Sequence, residues 1–294
     1  MKKIVSIVAI CALTVGMMAG CGSGGGDAGG SDAPSFNDKR EITVVSREDG
    51  SGTRGAFIEL VGIEERGADG SRRDLTTREA LIANRTDVML TNVANDPYAI
   101  GYVSLGSLNA TVKGININGV APTPGNIKSG AYVISRPFNI ATKGEPTGLA
   151  KDFIDFILSA EGQEVVSGNY IAVDDNAEPF EGEMPAGRLV IAGSSSVSPV
   201  MERLAEAYMA LNSDADIQLQ TSDSTTGINS IIEDIADIGM ASRDLRDSEL
   251  AEVTGLVIAV DGIAVIVNTE NPLGNLDADM VRQIFVGEVT TWEL

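Results

Sequence analysis

Three strand-turn-helix units constrain the fold of this chain more than any other feature of its sequence. In each unit an apolar run is followed by a turn rich in serine, threonine and glycine, and then by apolar residues at helical spacing. The turns span residues 46–55, 193–199 and 222–227. Strands that alternate with helices in this way are typical of α/β folds. The pattern therefore predicts an α/β protein that carries several polar turns at strand-to-helix junctions.

The first of these turns indicates the chemistry of the protein. Residues 46–55 read Ser-Arg-Glu-Asp-Gly-Ser-Gly-Thr-Arg-Gly. A turn before a helix presents unpaired backbone N–H groups and the positive end of the helix dipole. Ser51 and Thr53 add hydroxyls, and Arg47 adds a planar cationic fork. A single turn of this kind is usually only a helix cap, but three of them with an adjacent arginine predict a shared site for a small oxyanion.

The N-terminal residues predict export. Residues 1–21 have a basic start, a short apolar run and small residues before Cys21, as in a lipoprotein signal. We expect Cys21 to be lipidated and to anchor the protein on the outer face of the cell membrane, with residues 22–40 as a Gly/Ser-rich tether. Because Cys11 lies inside the signal, we expect no disulfide in the mature chain.

Composition excludes several classes of function. The chain has no histidine, which removes Ser-His-Asp and Cys-His catalysis and histidine metal sites. A formal net charge of −21 argues against nucleic acid and anionic membrane surfaces as partners. A bound anion would have to be held by local dipoles, since the global field repels it.

Apolar periodicity predicts most of the remaining elements. We expect a short helix at residues 77–83, strands at 87–90 and 99–104, and one long helix at 149–166. Extended runs at residues 132–142, which contain Pro137, and at 257–268 are candidate hinge strands.

These turns resemble those of the phosphate-binding proteins that serve Pst-type ABC importers. Residues 46–54 are similar to the central phosphate loop of that family, and residues 193–199 and 223–228 are similar to its other two loops. The resemblance covers nearly the whole mature chain. It implies a two-lobed periplasmic-binding-protein fold of type II with two hinge crossovers. It also implies that the protein captures inorganic phosphate and delivers it to the permease subunits of an ABC importer.

The resemblance also implies which residues bind phosphate. They come from the first turn and from the other two turns and the strand after them: Arg47, Asp49, Ser51, Gly52, Thr53, Ser195, Ser196, Ser224 and Ser242. Asp49 is expected to orient Arg47. Some family members have an aspartate where Ser242 stands, which accepts the proton of hydrogen phosphate. For this acceptor Asp49 is the first candidate and Asp223 the second.

The order of the loops departs from the family and suggests a circular permutation. The family's central loop opens the mature chain here, and its first loop follows residue 188. We expect one lobe to comprise residues 41–135 and 261–294, and the other residues 136–260, with residues 173–187 as a linker. Residue 41 and Leu294 should then lie close together. The rival explanation is a misassembled or truncated gene.

Other functions have weaker support. Residues 50–55 match the spacing of a dinucleotide-binding fingerprint, but the acidic residues about 20 positions further on lie in a polar loop rather than at a strand end. A phosphate-ester hydrolase that uses Ser51 or Ser195 would lack an activating base. A binding protein for another tetrahedral oxyanion, or a phosphate sensor, remains an alternative. We expect no enzyme activity, cofactor or metal.

Overall fold

The computed structural model describes residues 36–67 and 71–293, so the predicted signal, Cys21 and most of the tether lie outside the described residues. The strands are β1 (Thr43–Arg47), β2 (Glu64–Arg66), β3 (Arg72–Asp74), β4 (Leu81–Ala83), β5 (Ala99–Ser104), β6 (Val112–Gly114), β7 (Asn116–Ile117), β8 (Ser135–Thr142), β9 (Gly187–Ser194), β10 (Ala215–Ser222), β11 (Ile238–Ala241), β12 (Thr254–Asn268) and β13 (Asn275–Leu276). The α-helices are α1 (Gly52–Leu60), α2 (Thr86–Ala94), α3 (Pro124–Lys128), α4 (Gly148–Leu158), α5 (Ala160–Ser167), α6 (Ser198–Leu211), α7 (Ser224–Ile232), α8 (Asp247–Leu250) and α9 (Ala278–Val286).

The main sheet joins parallel strands from both halves of the fold. Its order is β10-β9-β11-β8-β12-β5-β1-β4, and β6 pairs with β12. On one side β9, β10 and β11 run parallel, and on the other β1, β4 and β5 run parallel. The antiparallel strands β8 and β12 connect these two groups.

Strands β8 and β12 occupy the two segments predicted as hinges, and both are extended as expected. Pro137 lies in β8 opposite Val260, and a register shift between Val257 and Ala259 interrupts the ladder nearby. Where β8 and β12 pair, Arg136 Nη2 donates to Asp261 Oδ2 at 3.0 Å, and both side chains are buried. Ser104 Oγ donates to the other oxygen of Asp261. Burial raises the pKa of Asp261 to about 6.

Two main hydrophobic clusters lie on either side of the segment where β8 and β12 pair. One packs α4, α5 and α6 against the sheet and draws its buried residues from positions 138–259. The other packs α1 and α9 against β5 and β12, with Phe57 stacked on Tyr102 at a centroid distance of 4.0 Å. Apolar burial is the main stabilising contribution in each.

The two ends of the described chain lie side by side. Glu41 forms an antiparallel bridge with Thr291, and Ile42 N donates to Thr290 O at 2.8 Å. Lys39 Nζ lies 3.7 Å from Glu293 Oε1. Leu294 itself lies outside the described residues, so its predicted proximity to residue 41 stays a prediction.

Three local predictions were wrong. Residues 87–90 belong to α2 instead of a strand, and the segment 77–83, predicted as a helix, ends in β4. The helix predicted at 149–166 is divided at Ser159, whose hydroxyl accepts from Gly162 N and begins α5. Tertiary pairing with β1 decides the conformation of β4, which propensity alone does not reveal.

Among the residues that the structure describes, no helix combines the length and the apolar character needed to cross a membrane.

Candidate anion-binding site

The site begins at the carboxyl end of β1. Ser51 caps α1 by accepting from Arg54 N at 3.3 Å, so the chain turns directly from strand to helix. The buried hydroxyl of Tyr102 lies 2.9 Å from Ser46 Oγ and accepts from Arg47 N at 3.1 Å. Burial raises the pKa of Tyr102, so its hydroxyl stays neutral and holds this turn in place.

Arg47 is the buried cation of the site, with 2 % of its surface exposed. Its Nη2 donates to Ser195 Oγ at 3.2 Å, and its Nη1 donates to Thr86 Oγ1 at 3.4 Å. Its Nε donates to Ala83 O at 3.1 Å. The guanidinium therefore faces hydroxyls from two other turns. At this place two oxygens of one anion could accept hydrogen bonds from Arg47.

Glu48 orients this guanidinium. Its carboxylate accepts from Arg47 Nε at 2.8 Å and from Nη2 at 2.7 Å, a bidentate pair. The sequence-based expectation that Asp49 orients Arg47 is wrong in this structure. The Asp49 side chain is 98 % exposed and accepts from Arg54 Nη1 at 2.7 Å, because the turn directs it away from Arg47.

The other predicted residues meet Arg47 and Thr53 in one buried cluster of hydroxyls. Thr53 Oγ1 lies 2.8 Å from Ser196 Oγ and 3.5 Å from Ser242 Oγ. Ser224 Oγ lies 3.4 Å from Ser242 Oγ and accepts from Ser242 N at 3.1 Å. All these hydroxyls are buried, so hydrogen bonds within the cluster satisfy groups that water cannot reach.

Two members of the cluster were missed by sequence reasoning. Thr86 Oγ1 lies 3.2 Å from Ser195 Oγ and 3.3 Å from Ser196 Oγ, and Ser194 Oγ donates to Ser242 Oγ at 2.9 Å. Thr86 begins α2, and the spacing of the buried Met89 and Val93 along that helix was the available signal. We define the hydroxyl cluster as Thr53, Thr86, Ser194, Ser195, Ser196, Ser224 and Ser242.

Glycine allows the first turn to approach the others. A Cβ on Gly52 would overlap the Ser224 hydroxyl and come within 2.7 Å of Ser242 Oγ. Gly50 O accepts from Thr225 N at 3.2 Å, which ties the β1–α1 turn to the start of α7. A larger residue at Gly52 would therefore separate Arg47 from part of the hydroxyl cluster.

Asp223, the second candidate for a proton acceptor, is engaged elsewhere. Its carboxylate caps α7, accepting from Thr226 N at 2.9 Å and from Thr226 Oγ1 at 2.6 Å. It also lies against Gly50, beside the site and not within the hydroxyl cluster.

Four helix N-termini surround the hydroxyl cluster. Helices α1, α2, α6 and α7 each begin within or directly next to a turn that supplies a member. Their first-turn N–H groups and positive dipole ends favour negative charge. Together with Arg47 and the seven hydroxyls, these N-termini can surround a small tetrahedral anion. Among the described residues of the site, no nucleophile lies next to a general base.

A groove of about 320 Å³ reaches the cluster from the protein surface. Thr86, Ser195 and Ser198 line its wall, together with Gly106 and Ser107 from the turn after β5.

The chain matches the PBP superfamily domain over residues 31–161 and 179–294. The phosphate-binding protein PstS 2 of Streptococcus agalactiae serotype V is 50% identical over 293 residues, which cover 99% of this chain and 97% of that protein. A crystal structure described as a phosphate ABC transporter, phosphate-binding protein from Streptococcus pneumoniae TIGR4 is 40% identical, has a TM-score of 0.68, and is matched over 86% of this chain and 98% of that one. The phosphate-binding protein PstS of Bacillus subtilis is 34% identical over 139 residues, 46% of this chain and 43% of that protein.

Proposed function

We propose, because this chain belongs to the PstS family of phosphate-binding proteins within the PBP superfamily, a role in phosphate uptake. The protein captures inorganic phosphate outside the cytoplasm and supplies it to an ABC importer. It has the two-lobed α/β fold of periplasmic binding proteins, and it is a binding protein and not an enzyme.

The observation that carries this proposal is the convergence of separate strand-to-helix turns on Arg47. Residues far apart in the sequence meet at the site; for example, Thr53 Oγ1 lies 2.8 Å from Ser196 Oγ. Hydroxyls and helix N-termini bind oxyanions without a net positive protein, which suits a chain of net charge −21. We assign phosphate binding to Arg47, Ser51, Gly52, Thr53, Thr86, Ser194, Ser195, Ser196, Ser224 and Ser242. Asp49 is removed from this set because its side chain faces solvent.

Capture then follows from closure of two lobes. We assign one lobe to residues 41–135 and 261–294 and the other to residues 136–260, an assignment supported by the two main hydrophobic clusters. Strands β8 and β12 connect the lobes and serve as hinges. Phosphate contacts residues of both lobes at once, so it stabilises the closed form through its differential affinity for that form.

We further propose that Cys21 carries the lipid anchor and that permease subunits of the importer recognise the closed form. The anchor proposal is supported by the apolar run and the small residues that precede Cys21.

We also propose that the chain is circularly permuted relative to phosphate-binding proteins such as that of Bacillus subtilis. The match to the Bacillus subtilis protein spans less than half of each chain, as expected when the two halves of one partner are exchanged. The nearly full-length match to the Streptococcus agalactiae protein argues against a misassembled gene.

Isothermal titration calorimetry of the purified protein with phosphate tests the proposed function. We expect saturable binding of one phosphate for each chain. A thermal shift with NAD and none with phosphate would favour the dinucleotide-binding alternative instead.

A further inference from the structure

We propose that Thr225 holds the two lobes together around bound phosphate without touching the anion, and that the Arg243–Glu249 ion pair positions it. This inference rests on the proposed function and on the lobes assigned above. Thr225 follows Ser224 at the start of α7, and Gly50 lies in the β1–α1 turn. The two residues therefore belong to opposite lobes and lie next to the site.

Two hydrogen bonds join Thr225 to the opposite lobe. Its backbone N and its Oγ1 each donate to Gly50 O at 3.2 Å. Because the hydroxyl of Thr225 donates to this carbonyl, it is not a donor for the anion. Both bonds connect the lobes directly and break when the lobes separate, so they stabilise the closed form relative to an open one.

Arg243 fixes the direction of the Thr225 hydroxyl. Arg243 Nη2 donates to Thr225 Oγ1 at 3.4 Å. A guanidinium donates hydrogen bonds and accepts none, so the hydroxyl hydrogen of Thr225 has to point away from Arg243. It points to Gly50 O. The cation therefore both orients and polarises the bond that joins the lobes.

Glu249, at the end of the chain of contacts, holds Arg243 in this position. Its carboxylate accepts from Arg243 Nη1 at 2.8 Å and from Nη2 at 2.7 Å, and both residues are buried. It also accepts from Arg246 N at 2.8 Å, which fixes the carboxylate at the start of α8. A bidentate pair of this kind keeps the guanidinium in one orientation.

A cleft of about 850 Å³ lies beside this contact. Its walls include Arg54 and Gly55 from α1, and Arg243 and Asp244 from the opposite lobe. A Cβ on Gly55 would lie 3.9 Å from Arg243 Cδ, so the Arg243 side chain lies close to α1. Arg243 thus reaches from the cleft to Thr225, and separation of the lobes here would widen the cleft toward the anion.

The rate of phosphate release tests this inference. The purified protein is loaded with radiolabelled phosphate and diluted into unlabelled phosphate. We expect Thr225→Val, which keeps the shape of the residue and loses its hydroxyl, to speed release by about fivefold, the effect of one hydrogen bond. The association rate should stay within about twofold of the wild type, because phosphate first meets the open form. Thr225→Ser should return the release rate to within about twofold of the wild type.

Ser230→Ala is the matched control, because Ser230 Oγ donates within α7 to Thr226 O. It should release phosphate at the wild-type rate. A wild-type release rate in Thr225→Val would overturn the inference and leave the proposed function intact. A weaker affinity caused only by slower association would also overturn it, since the open form would then be the one affected. Failure of the wild-type protein to bind phosphate would contradict both.

A double-mutant cycle tests the role of the ion pair. Glu249→Gln keeps the shape of the residue and should speed release by about threefold, because Arg243 is held less firmly. In the Thr225→Val background the same change should have no further effect, because Arg243 then has no hydroxyl to orient. Equal effects in the two backgrounds would show that the pair acts elsewhere and would overturn its positioning role.

Discussion

At the scale of single residues, the site depends on where one guanidinium points. Arg47 is buried, and its contacts with Ser195 and Thr86 link the β1–α1 turn to two other turns. Glu48 accepts from Nε and Nη2 of this guanidinium. The remaining N–H donors of Arg47 can therefore bond to the hydroxyls and to an anion.

Replacing Arg47 by alanine removes this charge-assisted contact. We expect Arg47→Ala to weaken phosphate binding by about 2 to 3 kcal/mol in calorimetry. Arg73→Ala is the matched control, because Arg73 is exposed on β3. Equal phosphate affinity in the Arg47→Ala variant and the wild type would remove Arg47 from the site.

The two neighbouring acids should behave differently. We expect Glu48→Ala to raise the Kd for phosphate by about tenfold or more, since the buried Arg47 loses its bidentate partner. Asp49→Ala should leave the Kd within about twofold, since exposed ion pairs contribute little. Calorimetry of both variants checks this, and the reverse order would restore Asp49 as the residue that orients Arg47.

Residue types were easier to predict than residue roles. The sequence indicated Arg47 and the serines, because hydroxyls and a cation at strand-to-helix turns suit an oxyanion. It did not distinguish Glu48 from Asp49, since the backbone dihedrals of the turn decide which carboxylate reaches Arg47. The roles of the site residues stay predictions until anion binding is measured.

At the scale of elements, close backbone approach positions the turns. Helix α7 contacts β9 where Gly227 meets Gly193, and a Cβ on Gly227 would lie 2.5 Å from Gly193 Cα and 2.8 Å from Ala192 O. This contact brings Ser224, at the start of α7, next to Ser242.

We expect Gly227→Ala to destabilise the protein by about 1 to 3 kcal/mol through overpacking, and to weaken phosphate binding by displacing Ser224. Gly125→Ala is the control, because a Cβ there meets nothing within 4 Å. Urea unfolding and calorimetry of both variants measure the two effects. A Gly227→Ala protein as stable as the wild type would show that α7 can move away without cost.

The buried pair at the hinge strands predicts a specific pH dependence. Burial raises the pKa of Asp261 from 3.8 to about 6. At pH values between these two, Asp261 keeps its proton in the folded state and has released it in the unfolded state. The contribution of Asp261 to stability therefore falls as pH rises through that range.

Comparison with Asp261→Asn isolates this contribution. The Tm of the wild type minus that of the variant should decrease from about pH 4 to about pH 6 and then level off. Thermal unfolding across this range measures the difference. A difference that rises with pH would mean that the ion pair with Arg136 lowers the pKa of Asp261 instead.

Long elements with clear periodicity were predictable, and short ones were less so. Strand β12 is a long apolar run rich in valine and isoleucine, whereas the short run at 87–90 suits a strand or a helix equally. That ambiguity concealed the start of α2 and with it Thr86. The break at Ser159 was also hidden, because apolar residues continue through it.

At the scale of the whole molecule, the two ends of the described chain meet at the Glu41–Thr291 bridge. The family and its two-lobed α/β fold were predictable, since the three turns carry a specific pattern. The permutation is a prediction about connectivity and has its own test.

Joining residue 293 to residue 36 by a short Gly/Ser linker, with new ends between Asn176 and Ala177, should give a protein that folds and binds phosphate with a Kd within about fivefold of the wild type. Circular dichroism and calorimetry check this. An insoluble or inactive product would show that the present ends are required.

The central claim is that separate turns and Arg47 enclose one tetrahedral anion. A crystal structure of the protein grown with phosphate tests it most directly. The account predicts one phosphate within hydrogen-bonding distance of Arg47, Ser195 and Ser224. Phosphate bound elsewhere, or these three side chains facing separate regions of solvent, would contradict it.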